Sequence, residues 1–152
     1  MLRSMSNISP DQVRAEIDKF WQIMCGKSAG RLEEMYSPDA LLFTGKARKP
    51  EPGTVALARR ARQIADAGLH SEVELGSMEV EMPEAGLAIA TYTYKFHHGR
   101  VEHDGILRRH RTMYGRATQI FQLDRKGALL IVHEHLSAAT NPEVEKLGAQ
   151  SA

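Results

Sequence analysis

The run Leu130-Ile131-Val132-His133-Glu134-His135-Leu136-Ser137 sets three ionisable side chains into an otherwise apolar strand. Two-residue periodicity puts Ile131, His133, His135 and Ser137 on one face and Val132, Glu134 and Leu136 on the other. If the first face lines a cavity, it offers two imidazoles as bases or metal ligands. If the second does, it offers one carboxyl group, and desolvation of a carboxyl group is the usual route to a general acid or base. Period alone leaves the choice open.

Other residue types with chemical potential are scattered more thinly. Tyr92 and Tyr94 share a strand face and alternate with Thr91, Thr93 and Lys95. An aromatic wall with a few hydroxyl groups suits a mostly apolar ligand that must be oriented, although core packing with satisfied hydroxyls produces the same pattern. His133 and His135, even with His97, His98, His103 and His110, lack the spacing of a zinc motif, so no metal site is expected. Cys25 is the only cysteine; it excludes an internal disulfide and, near a helix end with no activating partner, reads as an inert thiol. No glycine-rich phosphate loop is present, and no cofactor is expected.

Charge excludes further classes. The 20 basic and 19 acidic residues nearly cancel, giving no global case for nucleic acid or an anionic membrane. The basic clusters Lys46, Arg48, Lys49, then Arg59, Arg60, Arg62, then Arg108, Arg109, Arg111 have no interleaved aromatics and read as solvated faces or pocket-mouth pairs. An arginine at a mouth would attract a carboxylated ligand. No apolar run reaches membrane-spanning length, and Met1 to Pro10 lacks the apolar core of a secretion signal, so a soluble cytoplasmic protein is expected.

The elements that must position these groups follow from periodicity. Ser9-Pro10-Asp11-Gln12 has capping-box spacing, and Val13, Ile17, Phe20, Trp21 and Met24 then recur on one helical face up to Gly26. A short second helix is expected over Lys27 to Tyr36, a strand over Ala40 to Thr44, and a loop over 45 to 53. A third helix runs from Thr54 to Ala67. Alternating patterns then predict strands over 73 to 82 with a bulge near Gly76, 87 to 96, 106 to 123 and 128 to 137, with a polar hairpin over 97 to 105 and a turn at Asp124 to Gly127. A chain of 152 residues fits one domain, with its core in about 10 to 138 and a tail over 139 to 152. Helices first and strands afterwards predict an α+β fold, an antiparallel sheet covered on one face by helices.

This order, together with Arg116-Ala117-Thr118-Gln119-Ile120-Phe121 and the His133-x-His135-x-Ser137 ending, resembles the SnoaL-like branch of the nuclear-transport-factor-2-like superfamily over roughly residues 10 to 138. It also resembles the association domain of calcium/calmodulin-dependent kinase II. The resemblance implies a strongly curved sheet wrapped into a cone around a pocket, closed by the first helix, with homodimers made through the outer sheet face. Positions that carry steroid-isomerase chemistry in this superfamily fall on Phe20, near Thr44 and near Gln119, none of which supplies the required acid or base. The same alignment turns Val132, Glu134 and Leu136 toward the pocket, and His133, His135 and Ser137 toward the dimer side.

The expectation is thus a pocket lined by Trp21, Tyr36, Tyr92, Tyr94, Gln119 and Glu134 that binds a compact organic molecule. If it turns over substrate, Glu134 moves the proton and Tyr92 or Gln119 holds an oxyanion. Glu134 also has a structural alternative, an ion pair with Arg109, Arg111 or Arg116 on the neighbouring strand. The rival for the whole chain is a non-catalytic association module.

Overall fold

The first helix begins where the sequence supplies its own cap. Ser9 Oγ accepts from the Gln12 amide at 3.2 Å, and Gln12 Oε1 accepts from the Ser9 amide at 2.8 Å. Two donors left open at a helix start are satisfied, which contributes about 1 kcal/mol. Helix α1 (Pro10–Met24) turns Val13, Ile17, Phe20 and Trp21 into the core, and Gly26, at a φ of 71°, ends it. The computed structural model describes residues 7–27, 31–44, 48–66, 70–101 and 103–139, leaving side chains 65, 66, 70, 100, 101 and 107–110 undescribed.

The remaining elements are a 3₁₀ turn (Leu32–Met35), β1 (Tyr36–Thr44), β2 (Glu51–Pro52), α2 (Gly53–Asp66), β3 (His70–Glu84), β4 (Leu87–Val101), β5 (Leu107–Leu123) and β6 (Leu129–Ala138). They form one curled six-stranded sheet in the order β2-β1-β6-β5-β4-β3, with both helices packed on it. This is the expected α+β cone with one difference in direction. Every neighbouring pair is antiparallel except β1 and β6, which run parallel, so the last strand lies inside the sheet between the first strand and β5.

Four element boundaries moved, each for a local reason. The helix expected up to Tyr36 is only the 3₁₀ turn, and Tyr36 already opens β1, paired with Ile131. Pro38 sits inside β1, where the register with β6 breaks between Tyr36 and Leu41, so its missing N–H costs no ladder bond. In the expected loop, Glu51 and Pro52 form a short edge strand against Leu41 and Leu42. The polar hairpin is shorter than expected, because His97 and His98 pair with Thr112 and Arg111 and carry the strands onward. The turn is as read: Asp124 Oδ1 accepts from the amides of Lys126 and Ala128, each at 2.8 Å. Ala67, Gly68 and the tail from Thr140 lie outside the described residues.

Curvature comes from bulges, and one of them decides the site. Gly76 lies in the bulge where β3 slips against β4 between Leu75 and Met78; a side chain there would collide with Thr93. On β6, Ile120 pairs with His133 but Phe121 pairs with Ile131, leaving Val132 as an extra residue. Strict alternation therefore fails. Ile131, expected on the outer face, is fully buried beside Phe121, whereas Val132, expected to face the pocket, is half-buried at the bulge. Beyond it, Glu134 and Leu136 point inward, and His135 is exposed on the outer side. At Gly115 a side chain would strike the Tyr94 ring, which lies across the inner face there.

Candidate functional site

Glu134 is a carboxyl group with no solvent exposure in the middle of a sheet, so its charge must be answered by protein groups. Three elements answer it. From α2, Arg60 places Nη1 2.6 Å from Glu134 Oε1. The contact is charge against charge, because Oε1 receives no aligned hydrogen bond. From β1, the Tyr36 hydroxyl donates to Oε2 at 2.5 Å, and from β5 the Gln119 amide donates to the same oxygen at 2.8 Å. Arg60 Nη1 also donates to the Tyr36 oxygen at 3.1 Å, closing a three-residue ring.

A second chain of donors leads into this ring from α1. Trp21 Nε1 donates to the Tyr92 hydroxyl at 3.0 Å, and Tyr92 donates to Gln119 Oε1 at 2.8 Å. Gln119 is thereby oriented: its oxygen accepts from Tyr92, and its nitrogen donates to the carboxylate. Burial, reinforced by the Glu134 charge, pushes the Tyr36 hydroxyl far above the usual phenol range. Burial also pushes the Tyr92 hydroxyl far up and raises that of Tyr94. Tyr36 and Tyr92, the two that donate within this network, stay protonated as donors must. Burial is the largest single effect on Arg60 and lowers it, but the electrostatic interactions and hydrogen bonds with Glu134 and Tyr36 together outweigh it, and the guanidinium is raised.

Above the network lies a cavity of about 650 Å³. Trp21, Tyr94 and Phe96 make one wall, with ring centroids 4.6 Å and 5.8 Å from Trp21 to the other two. Met113 and Leu136 extend the apolar surface, while Arg60 and Arg111 supply charge. Of the six residues expected to line a pocket, Trp21 and Tyr94 do. Tyr92, Gln119 and Glu134 lie beneath this cavity in the hydrogen-bonded layer, and Tyr36 instead borders a smaller cavity of about 290 Å³ beside Leu57. Arg60 stands between Glu134 and the larger cavity.

The cation expected to pair with Glu134 came from the wrong element. Arg116 is exposed on the outer face, Arg111 is exposed at the cavity, and the Arg109 side chain lies outside the described residues. Arg60 takes the role, and a signal for it exists: α2 buries Ala56 and Leu57, and Arg60 follows at helical spacing on that same face. Its cluster mates differ. Arg59 pairs with Glu51 at 2.8 Å and donates to Thr44 at 3.0 Å, while Arg62 is exposed.

The remaining candidates sit apart from the cavity. His133 is half-buried and His135 exposed, both beside the Phe43 ring on the outer face. His97 bridges Thr112 and Glu74, and His98 contacts Ser71, while the His110 side chain lies outside the described residues. Among the described residues, no group of three or more His, Cys, Asp or Glu is placed to hold a metal. Phe20 is fully buried, and burial pushes the Cys25 thiol up to about 11. No helix among the described residues is long and apolar enough to cross a membrane.

No protein-family model matches the chain, and no curated protein matches it significantly. Solved structures do match. The β subunit of benzoate 1,2-dioxygenase from Burkholderia mallei is 12% identical with a TM-score of 0.71, covering 89% of this chain and 93% of that one. A Streptomyces avermitilis protein of the nuclear-transport-factor-2-like family, provisionally assigned as a dehydratase, is 16% identical with a TM-score of 0.69, over 86% and 96%. A Xanthomonas campestris protein assigned as a calcium/calmodulin-dependent kinase II association domain is 14% identical with a TM-score of 0.64, over 93% and 99%. At such identities the likeness establishes the fold: a nuclear-transport-factor-2-like, cystatin-like cone.

The geometry makes the Tyr36 hydroxyl a principal support of a buried charge. Tyr36→Phe is expected to destabilise the protein by about 1.5–3 kcal/mol, the range for hydrogen bonds to charged groups. Urea unfolding at pH 7 measures it, and a loss below about 0.5 kcal/mol would show that Oε2 does not depend on this donor.

Proposed function

We propose that this chain is a small-molecule-binding domain of the SnoaL-like type, and that the cavity over Arg60 is its binding site. The observation that carries the reading is the pairing of a cavity of about 650 Å³ with an aromatic wall and a fixed polar floor. That volume is within the range of sites for small organic ligands, and such sites combine apolar walls with a few oriented polar groups. The floor is fixed because Arg60, Tyr36, Gln119 and Glu134 hold one another. Glu134 has both oxygens engaged and lies behind Arg60, so its role in this reading is to position Arg60. Direct proton transfer from Glu134 would require Arg60 to move aside.

Trp21 is the only tryptophan in the sequence and lies in the cavity wall, so its emission reports occupancy. Titration with a library of compact aromatic compounds, neutral and charged, is expected to give saturable changes in Trp21 emission, and Leu136→Phe should weaken them by filling the cavity. Absence of any saturable response across the library would remove the binding reading.

A second reading concerns assembly and rests on the outer face. Leu41 is 47% exposed there, and Phe43, His133 and His135 pack beside it on neighbouring strands β1 and β6. We propose a homodimer through this face, where an imidazole can meet a carbonyl or carboxylate across the twofold axis. Sedimentation equilibrium is expected to give a dimer that Leu41→Glu splits. A monomer at all concentrations would refute the dimer, and a larger ring would favour a non-catalytic association module.

A further inference from the structure

The cavity is electrostatically lopsided. Two of its three arginines are already answered: Arg59 by Glu51 at 2.8 Å and Arg60 by Glu134 at 2.6 Å. Arg111 lines the same cavity from β5, and among the described residues no carboxylate pairs with it. One positive charge is left over at a largely apolar cavity.

Arg60 also has unused donors. A guanidinium carries five N–H groups in a planar fork, and the contacts of Arg60 to Glu134 and Tyr36 both run through Nη1. Nη2 and Nε have no partner among the described residues. Neither is sealed in the protein, because the only buried side-chain polar atom without a hydrogen bond among those residues is Glu134 Oε1. Arg60 lines the cavity, so these nitrogens are available to a molecule bound there.

We infer that the natural ligand is a compact organic monocarboxylate whose carboxylate is held by the free edge of Arg60 together with Arg111, its apolar body lying against Trp21, Tyr94 and Phe96. This rests on the binding reading above and names the ligand class. A planar carboxylate matches the planar fork of arginine, and such charge-assisted pairs are about twice as strong as neutral hydrogen bonds. One negative charge cancels one uncompensated cation. A doubly charged phosphate monoester would bring more charge than this wall neutralises, and a neutral amide would present N–H groups to donors that need an acceptor.

Glu134 makes this arrangement possible without being part of the contact. Held from behind by a buried carboxylate, Arg60 cannot withdraw toward solvent and presents its remaining edge in one orientation. Binding then requires little reordering of that side chain.

Calorimetry with matched pairs tests the inference: phenylacetate against phenylacetamide, 2-naphthylacetate against 2-naphthylacetamide, and 2-naphthyl phosphate as the dianion. Each carboxylate is expected to bind at least about tenfold tighter than its amide and tighter than the phosphate. Arg60→Lys preserves the charge that Glu134 needs but removes the fork, and Arg111→Gln removes an exposed charge that supports no described contact. Both variants should lose most of the preference for carboxylate over the matched amide, read as the ratio of the two affinities in each variant. Equal binding of acids and amides would overturn the inference and leave the binding reading intact. Tighter binding of the phosphate, or a preference that survives in both variants, would also overturn it. If the matched pairs all fail to bind while other library compounds still perturb Trp21, the ligand class is wrong; if nothing perturbs Trp21, the binding reading falls with it.

Discussion

An ionised carboxylate in the centre of the sheet is the constraint on which the rest of this structure depends. Removing one from water costs several kcal/mol even after relaxation, and only a close cation with additional donors offsets it. Glu134 has Arg60 on one oxygen and two donors, Tyr36 and Gln119, on the other. These three come from α2, β1 and β5, so the charge can be accommodated only when helix, first strand and last hairpin are assembled together. The site is built by the topology and also specifies it.

The backbone serves this layer in two ways. The unpaired Val132 on β6 brings Ile131 and Glu134 to the same inner face, although strict alternation would separate them. The parallel pairing of β1 with β6 sets Leu42 beside Glu134 and Tyr36 beside Ile131, so the tyrosine reaches the carboxylate from the first strand. Donors then run in one sense, from Trp21 through Tyr92 and Gln119 to Glu134, and from Tyr36 directly. What reaches the cavity from this layer is the positive face of Arg60, whereas the carboxylate stays behind it.

Much of this was visible in the residues, and the failures have definite causes. The cap at Ser9, the bulge near Gly76 and the turn at Asp124 are written in local chemistry, so they could be read directly. Glu134 as a buried group, and Trp21, Tyr92, Tyr94 and Gln119 on inward faces, followed from alternation and the family orientation together. The bulge at Val132 could not be read, because an apolar run of Leu, Ile and Val carries no glycine to mark it. Arg60 was placed in a basic cluster, and only its spacing from Ala56 and Leu57 separates it from its exposed neighbour Arg62. A partner 74 positions away in sequence has no local signature. The parallel pairing of first and last strands is likewise non-local, and a pattern of alternation does not encode strand direction.

The central claim is that Glu134 and Arg60 form one energetic unit that holds the cavity floor in place. A double-mutant cycle with Arg60→Met, Glu134→Leu and the combined variant, each measured by urea unfolding at pH 7, tests it most directly. The account predicts that the two single variants are strongly destabilised, that the double variant recovers much of the loss, and that the coupling exceeds about 2 kcal/mol. Additivity within about 0.5 kcal/mol would contradict it, showing that the two side chains neither depend on each other nor fix the floor of the site.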